Sequence, residues 1–197
     1  MDRWIGKTGV VTGASSGIGA AICVGLANAG VKVVGLARRT GPIEELKSQV
    51  TGNGTITARQ CDVSSAEEVA STFKWISENF GCVHIMVNNA GVLVLGGITG
   101  TYITSEKDLL SVIDINLKGS ILCARHAIIS MRNNNFDGHV FDKGKPPLLI
   151  LLTGNLFNVY PSTKYGITAF SAGLLNELAD HKNKIKVTVI KSRKSVT

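Results

Sequence analysis

The sequence predicts an α/β fold, a doubly wound parallel sheet with helices on both faces, and three observations carry that expectation. Apolar, β-rich runs alternate with amphipathic helical stretches along the 197 residues, the pattern of successive strand–helix–strand crossovers. The strand-like runs are apolar at consecutive positions, as in a sheet buried on both faces. A glycine-rich turn joins the first run directly to the first helical stretch.

Taken in order, Thr8–Thr12 reads as a strand and Gly17–Ala29 as a helix. Val31–Ala37 is the second strand, followed by a helix over Pro42–Val50. Thr55–Gln60 is the third, and Ser64 or Ser65 then caps a helix over Ser65–Asn79. Glu67 and Glu68 in its first turn suit the positive end of the helix dipole. Val83–Val87 is the fourth strand, and Ser105–Met131 a long helix. Two readings compete for the fifth strand: one begins at Gly138-His139-Val140, the other is the run Leu148–Leu152. Pro161–His181 is the last helix, with Pro161 in its first turn, and Ile185–Ile190 the last strand.

The composition is that of an ordinary globular protein, with 44% hydrophobic and 18% charged residues. No stretch reaches the roughly 18 apolar residues of a membrane span. Residues 1–7 lack the apolar core of a signal peptide, so a cytoplasmic address is expected. Cys23, Cys61, Cys82 and Cys123 are scattered without a CxxC pair, which predicts reduced thiols and no metal site. The formal charge of +7 is concentrated at one end: residues 181–197 hold six Lys or Arg and no acid. Such a tail lacks the reading and stacking groups of a nucleic-acid surface, and no nucleic-acid partner is expected.

The turn after the first strand runs Thr12-Gly13-Ala14-Ser15-Ser16-Gly17-Ile18-Gly19. In a Rossmann-type unit Gly13 makes the tight turn, Gly17 lets backbone approach a pyrophosphate, and Gly19 lets helix and strand pack closely. With Ser15, Ser16 and Ile18 between them, these residues open a helix whose free N–H groups suit phosphate. A P-loop would need a lysine that is missing here. The GxSxG reading of Gly13–Gly17 as a hydrolase nucleophile elbow would need that turn later in the sheet. The second strand ends in Arg38-Arg39 with no acid beside it, which favours a 2′-phosphate and hence NADP(H). Asp62-Val63 follows the third strand, where an adenine would lie.

TGASSGIG, Asn88-Asn89-Ala90-Gly91, Asn116 and Tyr160-Pro161-Ser162-Thr163-Lys164 together resemble the short-chain dehydrogenase/reductase family. The wording is most similar to its animal farnesol and 17β-hydroxysteroid dehydrogenase-like branch, from Met1 to about His139 and again from Val159 to Ile190. The resemblance implies that Asn89, Ala90 and Gly91 line the cofactor and that Asn116 holds a water in a proton relay. It implies Tyr160 as the acid/base, with Lys164 binding the nicotinamide ribose and acidifying the tyrosine. The spacing is compatible on its own terms: four positions apart, the two share a helical face, and a cation lowers a phenol's pKa of ~10. The implied activity is NADP(H)-dependent interconversion of an alcohol and a carbonyl, on a small lipophilic substrate. The long helices Ser105–Met131 and Pro161–His181 match those that the family uses for oligomer contacts, so the resemblance implies a homo-oligomer, a dimer or tetramer.

Two departures stand out. The family places a serine after the fifth strand; in the usual register Lys145 stands there, and Thr153 is the substitute hydroxyl if Leu148–Leu152 is the strand. The family also continues past the sixth strand, whereas residues 191–197 are a short basic tail, so a sheet truncated after that strand is expected. The expected organisation is therefore one domain over 1–197. Within it, 1–140 is the cofactor-binding half and 141–190 holds the altered fifth-strand region and catalytic helix. The alternative is a catalytically impaired, cofactor-binding paralogue or splice form that acts through oligomerisation.

Overall fold

A computed structural model of the chain describes residues 2–98, 103–144, 159–179 and 184–190. Six strands, β1 (Thr8–Thr12), β2 (Lys32–Ala37), β3 (Thr55–Gln60), β4 (Ile85–Asn88), β5 (His139–Lys143) and β6 (Lys186–Ile190), form one sheet. The order is β3-β2-β1-β4-β5-β6 and every pairing is parallel. The helices are α1 (Gly17–Asn28), α2 (Gly41–Glu45), α3 (Ala66–Phe80), α4 (Glu106–Ile113), α5 (Gly119–Asn133) and α6 (Val159–Ala179).

The consecutive apolar residues of the strands divide between two cores. Val10, Val34, Met86 and Val140 point to one face and pack with Phe73, Ala127 and Leu174 of α3, α5 and α6. Their neighbours Val11, Val33, Val87 and the half-buried Phe141 point to the other and pack with Cys23, Ala27 and Ile43 of α1 and α2. Burying each such large side chain contributes about 1.5–3 kcal/mol, which is why β1, β2 and β4 are buried at successive positions without polar alternation. Helix starts follow local capping: the Ser65 hydroxyl accepts from the Glu68 N–H at 3.2 Å, and that of Ser105 from Asp108 at 3.1 Å.

Several boundaries differ from expectation. The helix predicted over Pro42–Val50 stops at Glu45 and tightens into a 3₁₀ turn over Leu46–Gln49. The single helix expected over Ser105–Met131 is three pieces, because a π-helical turn over Asp114–Lys118 separates α4 from α5. β4 starts at Ile85, not Val83. The fifth strand is the one that begins at Gly138-His139-Val140: β5 pairs with β4 and β6 and fills the fifth place. Leu148–Leu152 lies outside the described residues. Among the described residues no helix is long and apolar enough to cross a membrane, and no cluster of three or more His, Cys, Asp or Glu could hold a metal ion. The four cysteines are buried free thiols.

Candidate active site

β1 pairs with β2 on one side and β4 on the other, so the chain leaves the two central strands in opposite directions. A crevice must open at their carboxyl ends, and a cleft of ≈ 420 Å³ lies there. Its floor is a close meeting of the β1–α1 turn with the segment leaving β4. Gly13 has φ +66°, and a Cβ on it would stand 2.9 Å from the Ala90 Cα. A Cβ on Gly19 would collide with the Gly13 carbonyl oxygen. Thr12 Oγ1 accepts from the N–H groups of Asn89 and Ala90, both at 3.0 Å, while Asn89 Nδ2 donates to the Thr12 carbonyl at 3.0 Å. Asn89 thus ties the two segments together.

Gly13, Ser15, Ser16, Gly17 and Ile18 line the cleft, while Gly19 sits behind the wall, buried at the start of α1. Across from them lie Asn89, Ala90 and Gly91. Arg38 and Arg39 are exposed at one end, beside Asp62 and Val63. Burial alone would raise the Asp62 carboxyl. Hydrogen bonds from Ser64, with Oγ at 2.7 Å and N at 2.9 Å, and the charges of Arg38 and Lys118 bring it below the usual range. Arg38 and Asp62 also wall a neighbouring hollow of ≈ 570 Å³ bounded by Glu106 and Lys107 of α4. The cleft is therefore cationic at one end and rich in free backbone N–H at the mouth of α1, a surface suited to a phosphorylated dinucleotide.

At the other end α6 presents Tyr160 and Lys164, with the Lys164 ammonium 5.6 Å from the Tyr160 ring centroid. Neither side chain lines the cleft itself. Lys164 is buried and donates to the Lys143 carbonyl at 3.3 Å, with Nζ 3.4 Å from where a Gly91 Cβ would be. Burial, with the Lys143 charge, pushes its pKa down to about 8, against the pull of Asp142. The expected acidification of the tyrosine is not met: burial pushes the Tyr160 hydroxyl up. The ammonium lies against the ring, so desolvation prevails.

Asn116 is fully buried in the π-helical turn. Its Oδ1 accepts from the Val92 N–H at 2.7 Å, and its Nδ2 donates to the Val92 carbonyl at 2.9 Å and Thr163 Oγ1 at 3.3 Å. It therefore pins the exit of β4 to α6. Thr153 and Lys145, the sequence readings of the serine position, lie outside the described residues. Sequence reasoning missed Lys143, which lines the cleft, and its neighbour in β5, the fully buried Asp142. The available signal was position alone, since both close a strand at its carboxyl end.

A family model for short chain dehydrogenase matches residues 7–193, a span that holds both the glycine turn and the Tyr160–Lys164 pair. The chain belongs to the short-chain dehydrogenase family. Among its relatives, the farnesol dehydrogenase of Aedes aegypti is 42% identical over 192 residues, 96% of this chain and 78% of that protein. A metagenomic short-chain oxidoreductase solved in complex with NADP superimposes with a TM-score of 0.81 at 27% identity, over 96% of this chain and 84% of that one. A Burkholderia phymatum short-chain dehydrogenase/reductase in complex with NAD gives a TM-score of 0.84, over 96% of this chain and 66% of that one. At 24% identity this last likeness speaks for the fold alone.

Proposed function

We propose that this short-chain dehydrogenase interconverts an alcohol and a carbonyl with NADP(H), using Tyr160 and Lys164 as the acid–base pair. The observation that carries the reading is a cleft with a phosphate-suited glycine turn and two arginines at one end and cleft-lining Lys143 near the other, where Lys164, beside Tyr160, donates to the Lys143 carbonyl. The residues fit the cofactor: Gly13–Gly19 would hold the pyrophosphate against the α1 N-terminus, and Arg38 and Arg39 would face a 2′-phosphate. Asp62 and Val63 would flank the adenine, and Asn89, Ala90, Gly91 and Lys164 the nicotinamide half. Bound nicotinamide supplies or accepts the hydride. Tyr160 holds the proton exchanged with the substrate oxygen, and its raised pKa keeps it protonated, the form that donates in carbonyl reduction. Lys164 places positive charge behind it, and Asn116 fixes the wall between them.

A lipophilic substrate is supported by Leu93 and Leu95, which stand exposed on the segment that leaves the cleft after Val92. The name of the 42%-identical relative, a farnesol dehydrogenase, points the same way. The exposed apolar residues of α4, α5 and α6 support assembly of like subunits. A second reading, a cofactor-binding chain impaired in catalysis, is favoured by Lys145 at the register position of the serine.

The deciding experiment titrates the purified chain with NADPH and with NADH, then assays carbonyl reduction by the chain and by Tyr160→Phe. NADPH-selective binding with activity lost in Tyr160→Phe is expected. Binding without activity assigns the chain to the second reading. A folded sample that binds neither nucleotide overturns both.

A further inference from the structure

The first turn of α6 carries Tyr160, and a buried hydroxyl ties that turn to the wall of the cleft. Thr163 and Asn116 are both buried. Thr163 Oγ1 lies 2.8 Å from the Tyr160 carbonyl oxygen and 3.3 Å from Asn116 Nδ2. Asn116 in turn holds Val92 by both of its backbone groups, at 2.7 Å and 2.9 Å. Val92 and its neighbour Gly91 line the cleft.

The direction of every bond in this chain follows from a single backbone group. The Val92 N–H can only donate, so the oxygen of the Asn116 amide must face it and the nitrogen must face the Val92 carbonyl. That nitrogen carries two protons and accepts nothing. One proton goes to the Val92 carbonyl, and the other is given to Thr163 Oγ1. A hydroxyl that accepts there keeps one proton of its own, and the Tyr160 carbonyl takes it at 2.8 Å. Thr163 must therefore accept and donate at once, which a hydroxyl does and a methyl group cannot. A helical threonine is also suited to bonding the carbonyl one turn earlier.

The junction has no slack. A Cβ on Gly91 would stand 3.1 Å from Asn116 Oδ1 and 3.4 Å from Lys164 Nζ. The β4 exit, the π-helical turn and α6 thus meet at one point. Adjacent residues of α6 reach in different directions from it. Lys164 donates to the Lys143 carbonyl of β5 at 3.3 Å, while Thr163 bonds through Asn116 to the segment that leaves β4. Held by Lys164 alone, the first turn would be free to pivot about that contact; the second tie removes the pivot.

We propose that Thr163 is a positioning residue for Tyr160: through Asn116 it fixes the first turn of α6, and the tyrosine on it, against the exit of β4. Its functional meaning rests on the reading of Tyr160 as the acid/base, whereas the chain of bonds does not. Proton transfer needs hydrogen-bond reach, so a small displacement of this turn acts on the chemical step and spares nucleotide binding at the far end of the cleft.

The test joins tyrosine NMR to kinetics in the full chain. Both side-chain amide protons of Asn116 should resist exchange with water in the unsubstituted protein; rapid exchange overturns the proposal without any variant. In 13C-tyrosine-labelled protein the Tyr160 resonance is assigned through Tyr160→Phe, and Tyr165 on the next turn of α6 is the reference. Thr163→Val keeps the shape and removes the hydroxyl, and should move the Tyr160 resonance while that of Tyr165 stays. Thr163→Ser keeps the hydroxyl and should reproduce the unsubstituted spectrum. In carbonyl reduction Thr163→Val should lower kcat about 10–100-fold with KM for NADPH unchanged, and Thr163→Ser should restore it. An unmoved Tyr160 resonance in Thr163→Val, a loss that falls on KM alone, or a serine variant that behaves like the valine one overturns the proposal. If the unsubstituted chain reduces no carbonyl, the acid–base reading falls, and the Tyr160 resonance still decides the role of Thr163.

Discussion

At the scale of single residues the site is set by atoms too close to move. A Cβ on Gly19 would meet the Gly13 carbonyl and the Asn89 amide, so Gly19→Ala must displace either the turn or the β4 exit. Overpacking of this kind costs about 1–3 kcal/mol, or several degrees in Tm for a chain of this size. NADPH binding should fall with it, and thermal melts with and without NADPH would show both effects. Arg38 and Arg39 are exposed, so their removal leaves the fold alone. A charge-assisted contact to a phosphate contributes about 1.5–3 kcal/mol. The double substitution Arg38→Ala/Arg39→Ala should therefore weaken NADPH by about 10–100-fold and leave NADH within about twofold, as read by parallel fluorescence titrations. An equal loss for both nucleotides would mean that the arginines shape the cleft without reading the 2′-phosphate.

At the scale of elements, strand and helix identity was legible because β1, β2 and β4 are rich in buried apolar residues at successive positions and α3 and α4 begin at serine caps. The break between α4 and α5 was not legible. A π-helical turn adds one residue to a helix, and nothing in the composition of Asp114–Lys118 marks the change of register. Nor did hydrophobicity pick the fifth strand. Leu148–Leu152 is the more apolar run, yet His139–Lys143 holds the place, with polar Asp142 paid for by Asn88 and Ser171 on either side. Partners that distant in sequence cannot be read from a strand pattern. The same long-range logic joins the starts of β1 and β4, where the Thr8 N–H donates to His84 Nδ1 at 3.0 Å. His84 stacks edge-on against Phe136, and burial, with the Lys7 charge, pushes its pKa down to about 4. A depressed pKa makes the neutral ring the stabilising form, so its contribution is complete above the ordinary value of 6.5 and is lost as pH falls toward about 4. The protonated ring also cannot accept from Thr8. Urea midpoints should drop between pH 6.5 and 4, and His84→Gln should flatten that segment of the curve. An unchanged slope in the variant would remove His84 as its source.

At the scale of the whole molecule both faces of the sheet carry helices, and several of the large apolar side chains left in water lie on the helices of one side. Leu110 of α4 is 59% exposed, Ile129 of α5 40%, and Tyr165 and Leu175 of α6 42% and 46%. α6 packs against both α4 and α5, so these residues belong to one outer layer. A layer of this kind, on helices whose inner faces already serve the core, suits contact with a second copy of the chain. A closed two-fold interface would repeat the same residues on both partners, so a single charge introduced there acts twice. On the proposal that two copies pair through this layer, the unsubstituted chain should sediment as an assembly and Ile129→Glu combined with Leu175→Glu as a monomer. Both positions lie away from the cleft, and NADPH binding should persist in the monomer. A mass that does not change would place the interface elsewhere. A loss of NADPH binding together with assembly would mean instead that subunit contact helps to seat α6, and with it Tyr160 and Lys164, against the end of β5.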